Sequence, residues 1–260
     1  TSAALTIGSQ IADNTSATAL VKSGAGTLVL NSSNTYTGGT TLNAGILNVS
    51  QNDALGTGAL TFTSNATLQA GGSGATLPNT INLGTFSNVF DTNGTTLTLT
   101  GSISNSAATN NPIKANGSGT LILAGDLNIT GHASDTNNPA LMMGNRNSAN
   151  FNRGTVTLTG TGNISRISTG WDNTANTFNF ASTGTVTMAT DFVSGQSSNG
   201  VGILNVTTGT WNLQNLNMAN WDGSYGAFTM TGGTINTTNL RNGGNGNGNG
   251  NSYSLISGGS

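Results

Sequence analysis

The sequence predicts an all-β protein: one parallel β-helix, in which short strands wind into coils of about 24 residues. Three observations predict it. Helix formers are scarce, apolar and polar residues alternate over short stretches, and those stretches recur at a fixed offset. All eight acidic residues are Asp, and only 5% of the 260 residues are charged, against about 25% in an ordinary soluble domain. Thr, Asn, Ser and 39 Gly dominate instead, residues that favour strands and turns over helix. Hydrophobic residues still make up 34%. They keep a two-residue register in "TLVL", "TLTLT", "TVTLT" and "ILNV", a strand signal that a flexible linker does not keep.

In chain order, the first element is "LVKSGAGTLVL" (Leu20–Leu30), two strand-like runs around a glycine corner. "NTYTGGTTLNAGILNV" (Asn34–Val49) follows, again without a charge. "PIKANGSGTLIL" (Pro112–Leu123) echoes the first element after roughly 92 residues, near four times the shorter period. In the second half the period is plain. "GILNVTTGTWNLQNLNM" from Gly202 and "GAFTMTGGTINTTNL" from Gly226 align at an offset of about 24 residues. That offset matches Leu204 with Phe228, Val206 with Met230, Trp211 with Ile235 and Leu216 with Leu240. Val156 and Leu158 fall about two offsets earlier, with Phe178 and Phe180 between them. "YSLISGG" after Tyr253 repeats "AFTMTGG" once more.

One such unit, with two or three strands of four to five residues, is too small to bury its apolar face. Stacked units share a continuous core. At about 4.8 Å per coil, ten or eleven coils give a rod about 50 Å long. Inward positions then hold Val, Leu, Ile, Phe and Thr, while outward positions need only be polar and strand-compatible. Corners use Gly and Asn where positive φ is required. Stacked Asn residues share hydrogen bonds along a ladder, whereas stacked like charges repel. Membrane barrels need strands of about ten residues and propellers a repeat of about 40 to 45; neither fits. A sandwich could account for the first hundred residues, but not for the period.

The segment Leu20–Leu60, "LVKSGAGTLVLNSSNTYTGGTTLNAGILNVSQNDALGTGAL", resembles the passenger-associated repeat of bacterial autotransporters. "K-S-G-A-G-T-L-x-L", "N-T-Y-T-G-G-T-T", "A-G-x-L-x-V" and "A-L-G-T-G" occur in the family's order. "GSGTLILAGD" (Gly117–Asp126) echoes the opening, but the "NTYTGG" centre does not follow it. The expected organisation is a single array over 1–260: a passenger-repeat-like half over 1–130 and shorter-period coils over 131–260. The resemblance implies a right-handed β-helix, displayed on or secreted from a Gram-negative-type bacterium. The chain as a whole is expected to be an extracellular structural or adhesive rod, or a fibre-forming surface protein, without catalysis. Such proteins usually carry a C-terminal membrane barrel, and nothing in this stretch resembles one.

Partners follow from surface chemistry. A net charge of −2 offers no basic patch for nucleic acid or acidic lipid. The expected partners are the chain itself, end to end or laterally, neighbouring repeats of a longer chain, or host and matrix glycans. The absence of cysteine excludes a disulfide framework and thiolate chemistry. No apolar run approaches the length of a membrane helix, and no signal peptide is recognisable; for an exported protein the signal is expected to have been removed or to lie outside this stretch.

Polysaccharide-binding or polysaccharide-degrading β-helices are the alternative. "GWDN" (Gly170–Asn173) and "NWDG" (Asn220–Gly223) place Trp171 with Asp172 and Trp221 with Asp222, about two coils apart, and Arg146 falls one coil earlier. Such a column suits a sugar-contacting corner. The same residues also suit a repeated turn in which Trp covers the coil edge and Asp caps the bend. His132 is the single histidine and lacks a nucleophile pattern around it. "RNGGNGNGNGNS" (Arg241–Ser252) lacks the Asp of calcium-binding nonapeptides and reads as an excursion from one coil. No cofactor or metal site is expected. Threonine pairs in "TLTLT" and "TVTLT" raise an ice-binding face, but they do not recur at a fixed position in every coil.

Overall fold

The computed structural model describes residues 4–107, 112–130, 139–144, 154–170, 174–197, 199–243 and 250–260. Among these residues there is no helix, and every strand pairing is parallel. The chain is a parallel β-solenoid with three faces. The first face stacks Ala4–Ile7, Thr27–Leu30, Ile46–Val49, Thr67–Ala70, Asn88–Asp91, Ile113–Asn116, Leu141–Met143, Ile167–Ser168 and Asp191–Val193. The second begins at Ala75–Leu77 and continues through Thr96–Leu99, Thr120–Leu123 and Thr155–Leu158 to Tyr225–Met230 and Asn251–Ile256. The third runs from Leu20–Lys22 to the start of Thr234–Asn242. Along this third face the chain winds nine times between Leu20 and Thr234, about 24 residues per turn.

The expected register holds residue by residue. Leu204 pairs with Phe228, Val206 with Met230, Trp211 with Ile235 and Leu216 with Leu240. Val156, Phe178 and Leu204 occupy one column, as do Leu158, Phe180 and Val206. These columns form the core, where one residue of each strand alternation is buried. The largest side chains cluster: Trp211 stacks on Phe180 at 4.8 Å and 8°, while Phe192 meets it edge-on at 5.3 Å and 74°. Such aromatic geometries add about 0.5–1.5 kcal/mol each beyond area burial.

Three details differ from the sequence expectation. In the later coils the ladder does not stop at corners: Ala175–Met188 and Val201–Met218 are strands of 14 and 18 residues. The pairing shifts at Ala181 and resumes at Thr185, and the extended backbone bends across that interruption. The 92-residue echo lies one face out of step, because Thr27–Leu30 is on the first face and Thr120–Leu123 on the second. The echo therefore encodes a strand–corner–strand unit rather than a place around the coil. Finally, corner glycines do not all serve positive φ. Gly101, Gly125 and Gly160 stack in successive coils, and a Cβ on Gly125 would collide with Gly101 O, one on Gly160 with Gly125 O. Close approach of one coil's backbone to the next demands glycine there.

Outward side chains form the expected ladders. Asn205 Nδ2 donates to Asn179 Oδ1 (2.9 Å), and Asn179 Nδ2 to Thr157 Oγ1 (3.2 Å). Asn236 donates to Asn212 (2.7 Å), and Asn239 to Asn215 (2.8 Å). Asn215 in turn donates to Asp191, whose carboxylate meets the buried Arg166 guanidinium at 3.1 Å. On the first face Asn48 donates to Gln69 (2.8 Å) and Gln69 to Asp91 (3.0 Å).

The first coils are clamped by an exposed carboxylate. Asp13 Oδ1 accepts from Thr18 N (2.8 Å) and Thr37 N (3.0 Å), and Oδ2 from Thr37 Oγ1 (2.7 Å). The bond from Thr18 N, then those from Thr37, hold its pKa below the usual carboxylate range. A depressed folded pKa means that the clamp is complete above the unfolded value of about 3.9 and is lost as pH falls through the folded one. Amide protection factors at Thr18 and Thr37, corrected for intrinsic exchange at each pH, are therefore expected to fall on acidification below that range, while those at Leu68 and Leu97 stay high. Pushed through the same pH steps, the Asp13→Asn chain should show no such transition.

Candidate functional site

The corner joining the first face to the second is the only one for which the sequence suggested contacts with a ligand. Of its five residues, Trp221 and Asp222 are described; Trp171, Asp172 and Arg146 lie outside the described residues, as does His132. Trp221 and Asp222 stand in the bend between the end of Val201–Met218 and the start of Tyr225–Met230. Ala219 at φ 55° and Gly223 at φ 71° turn the chain. Ser224 Oγ donates to Trp221 O (2.5 Å) and accepts from Trp221 N (3.1 Å), closing the bend from inside. Asn220 N reaches Ser194 O and Gly195 O, both at 3.2 Å, which moors the bend to the corner one coil earlier. Trp221 is 47% exposed and Asp222 is exposed too, so this corner presents an indole and a carboxylate from adjacent residues.

Beneath the corner lies a polar lining that sequence reasoning missed. Ser168, Thr169, Ser194, Gln196, Asn217 and Ser224 are all buried. Ser194 Oγ donates to Gly202 O (2.7 Å), and Ser168 Oγ lies 3.5 Å from Gln196 Oε1. Only the spacing of "STG" (168–170) and "VSG" (193–195) hints at it. The side chains of this lining are hydroxyls and amides. Four described carboxylates elsewhere serve structure. Asp91 and Asp191 belong to ladders, Asp126 accepts from Thr161 Oγ1 (2.5 Å), and Asp13 clamps a loop. Among the described residues no three His, Cys, Asp or Glu cluster as a metal site would require.

The threonine pairs are more ordered than their spacing in the sequence shows. Thr96, Thr120, Thr155 and Thr177 stack in one outward rank on the second face, with Thr76 and Thr98 in the neighbouring rank. Ile122 interrupts that second rank before Thr157, and Ile203 ends the first.

The segment 20–49 is held by several buried polar side chains. Lys22 is buried and its ammonium donates to Gly24 O (2.7 Å), Ala44 O (2.9 Å) and Ser23 O (3.2 Å). Burial pushes its pKa below the ordinary lysine range. The next corner passes directly over this cage: Gly45 has φ +72°, and a Cβ there would stand 2.5 Å from Gly24 O and Gly26 O. Asn34 Oδ1 accepts from Ile11 N (2.7 Å) while its Nδ2 donates to Ala54 O (2.5 Å), so one side chain ties the coils on both sides. Tyr36 is fully buried, its hydroxyl 2.5 Å from Thr40 Oγ1. Asn34 and Tyr36 thus close the second face in a coil that has no strand there.

Comparison with known families finds one match: residues 20–49 fit the family model described as passenger-associated-transport-repeat. With the parallel β-solenoid, this match fits an autotransporter passenger repeat protein. No match was found among curated proteins or among solved structures.

Lys22→Met keeps the apolar stem and removes the ammonium from three carbonyl groups. The expected cost is about 2 kcal/mol, the scale of losing a charged hydrogen-bond partner. A lowered urea midpoint, with faster amide exchange confined to residues 22–46, would register it.

Proposed function

We propose that this chain is a rod-forming part of an autotransporter passenger, surface-displayed or secreted, whose role is structural and adhesive rather than catalytic. The passenger repeat at 20–49 supports the extracellular setting. The observation that carries the reading is the continuity of the parallel ladders from Ala4 to Ile256, with Asp13, Asp91, Asp126 and Asp191 bound into turns and ladders. A body built this way holds its corners at fixed distances along an axis and presents Asn, Thr and a few aromatics from them. Its partners are neighbouring repeats or a second copy at the coil ends, and glycans at the corners. The surface chemistry favours neither nucleic acid nor lipid.

A second reading, glycan recognition or cleavage, draws on one feature, the exposed Trp221 beside Asp222. Indole faces stack on sugar rings, and a neighbouring carboxylate accepts from their hydroxyls.

Binding of the purified chain to a panel of immobilised matrix polysaccharides, with product analysis, separates the readings. The expected outcome is retention without release of oligosaccharide. Trp221→Ala should lower glycan retention at least about tenfold, the scale of one well-packed aromatic contact. Release of oligosaccharides would overturn the non-catalytic reading. Retention unchanged in Trp221→Ala would remove that corner from the adhesive surface.

A further inference from the structure

Four Asn–Gly pairs lie within the described residues: 93–94, 116–117, 199–200 and 242–243. Asn–Gly is the sequence most open to attack of the glycine nitrogen on the preceding side-chain amide, because glycine places no side chain in the way. In three of the pairs the structure holds the reacting groups elsewhere. Gly200 N donates to Ser197 O and Gly243 N to Met218 O, each at 3.0 Å. Asn93 keeps its amide on Ala70 O, one coil back, at 3.2 Å.

Asn116 is different in its partner. Gly117 N donates to the Oδ1 of Asn116 itself (2.6 Å), so its hydrogen bond holds it against the reacting side chain instead of away from it. With a carbonyl bond of about 1.23 Å, the nitrogen is at most about 3.8 Å from Cγ, close to the 3–3.5 Å of a near-attack arrangement. The pose is fixed by neighbours. Asn116 O accepts from Thr92 N (2.9 Å) and Thr92 Oγ1 (3.0 Å), and Thr92 Oγ1 also accepts from Gly119 N (3.0 Å). Gly117 has φ +88°, and any Cβ there would run into Thr92 Oγ1. Asn116 and Gly117 also line a small cavity with Thr92 and Gly119, with room for about one water molecule.

We propose that Asn116 is a self-modification site. Gly117 N bonds to Asn116 Cγ, the Cγ–Nδ2 bond breaks, and the displaced amide leaves as ammonia with the proton from Gly117 N. Water then opens the succinimide. Attack at the side-chain carbonyl leaves aspartate; attack at the main-chain carbonyl leaves isoaspartate, with one more methylene in the backbone. Either product sets a carboxylate beside Asp91, the Cα partner of Asn116 in the preceding coil. Like charges directly opposed across a ladder are destabilising, and Asp91 already ends the Asn48–Gln69 ladder. The reaction would therefore loosen one joint of the rod with time, without any enzyme.

The test is the site-resolved deamidation rate by peptide mapping, with isoaspartate scored by methyltransferase labelling. Folded chain at mildly alkaline pH is compared with the same chain unfolded in guanidinium chloride, which cancels the local sequence effect. The expected result is a folded-to-unfolded rate ratio at Asn116 at least about tenfold above those at Asn93, Asn199 and Asn242, which native structure protects. Equal protection at all four overturns the proposal. Asn116→Gln, whose longer side chain disfavours ring closure, should abolish the signal at 116 and leave the other three rates unchanged; a persisting signal at 116 also overturns it.

Discussion

Every part of this molecule answers to one constraint: each coil must satisfy its backbone by pairing, in register, with the coil before and the coil after. A parallel ladder at about 4.8 Å spacing puts identical positions of successive coils in contact. That contact selects the residue types. Inward columns accept whatever apolar side chain fills the layer, so Val156, Phe178 and Leu204 replace one another. Outward columns select small, uncharged groups that bond to their own kind, as in Asn239–Asn215 and Asn205–Asn179. The same closeness explains the glycine column at 101, 125 and 160, where the adjacent carbonyl occupies the space of a side chain.

Ordinary solenoid coils are interchangeable, but the coil that carries the passenger repeat is specified by polar side chains buried within it. Lys22 neutralises a ring of carbonyls that would otherwise face one another at the turn. Asn34 bonds to the coils on both sides, and Tyr36 fills the volume that a strand would occupy. A two-strand coil needs these residues because it has fewer backbone partners, and each buried polar group must then find its own. In this coil the side chains stand in for a missing strand.

Most of the fold was legible in the sequence, and the failures have identifiable causes. The 24-residue offset was readable in the last coils because their corners have nearly constant length, so Trp211 and Ile235 could be matched by counting. The threonine rank was hidden because its members are 24, 35 and 22 residues apart, from Thr96 to Thr120, Thr155 and Thr177. The 92-residue echo misled on position because a strand–corner–strand unit has the same chemistry on any pair of faces. At the corner, the exposed Trp221 and Asp222 were legible as unusual residues among Asn and Gly. The buried lining of Ser168, Ser194 and Gln196 was not, since Ser and Gln at a turn look like solvent-facing residues until a neighbouring coil covers them.

Variable coil length also has an evolutionary consequence. Leu121 and Val156 are adjacent in the core although 35 positions separate them, and the columns on either side stay aligned. Residues added between strands leave the interior columns untouched, so the surface can diversify by insertion while the scaffold keeps its register. Natural selection, or an engineer, could change what such a molecule presents to its surroundings without having to solve the folding problem again.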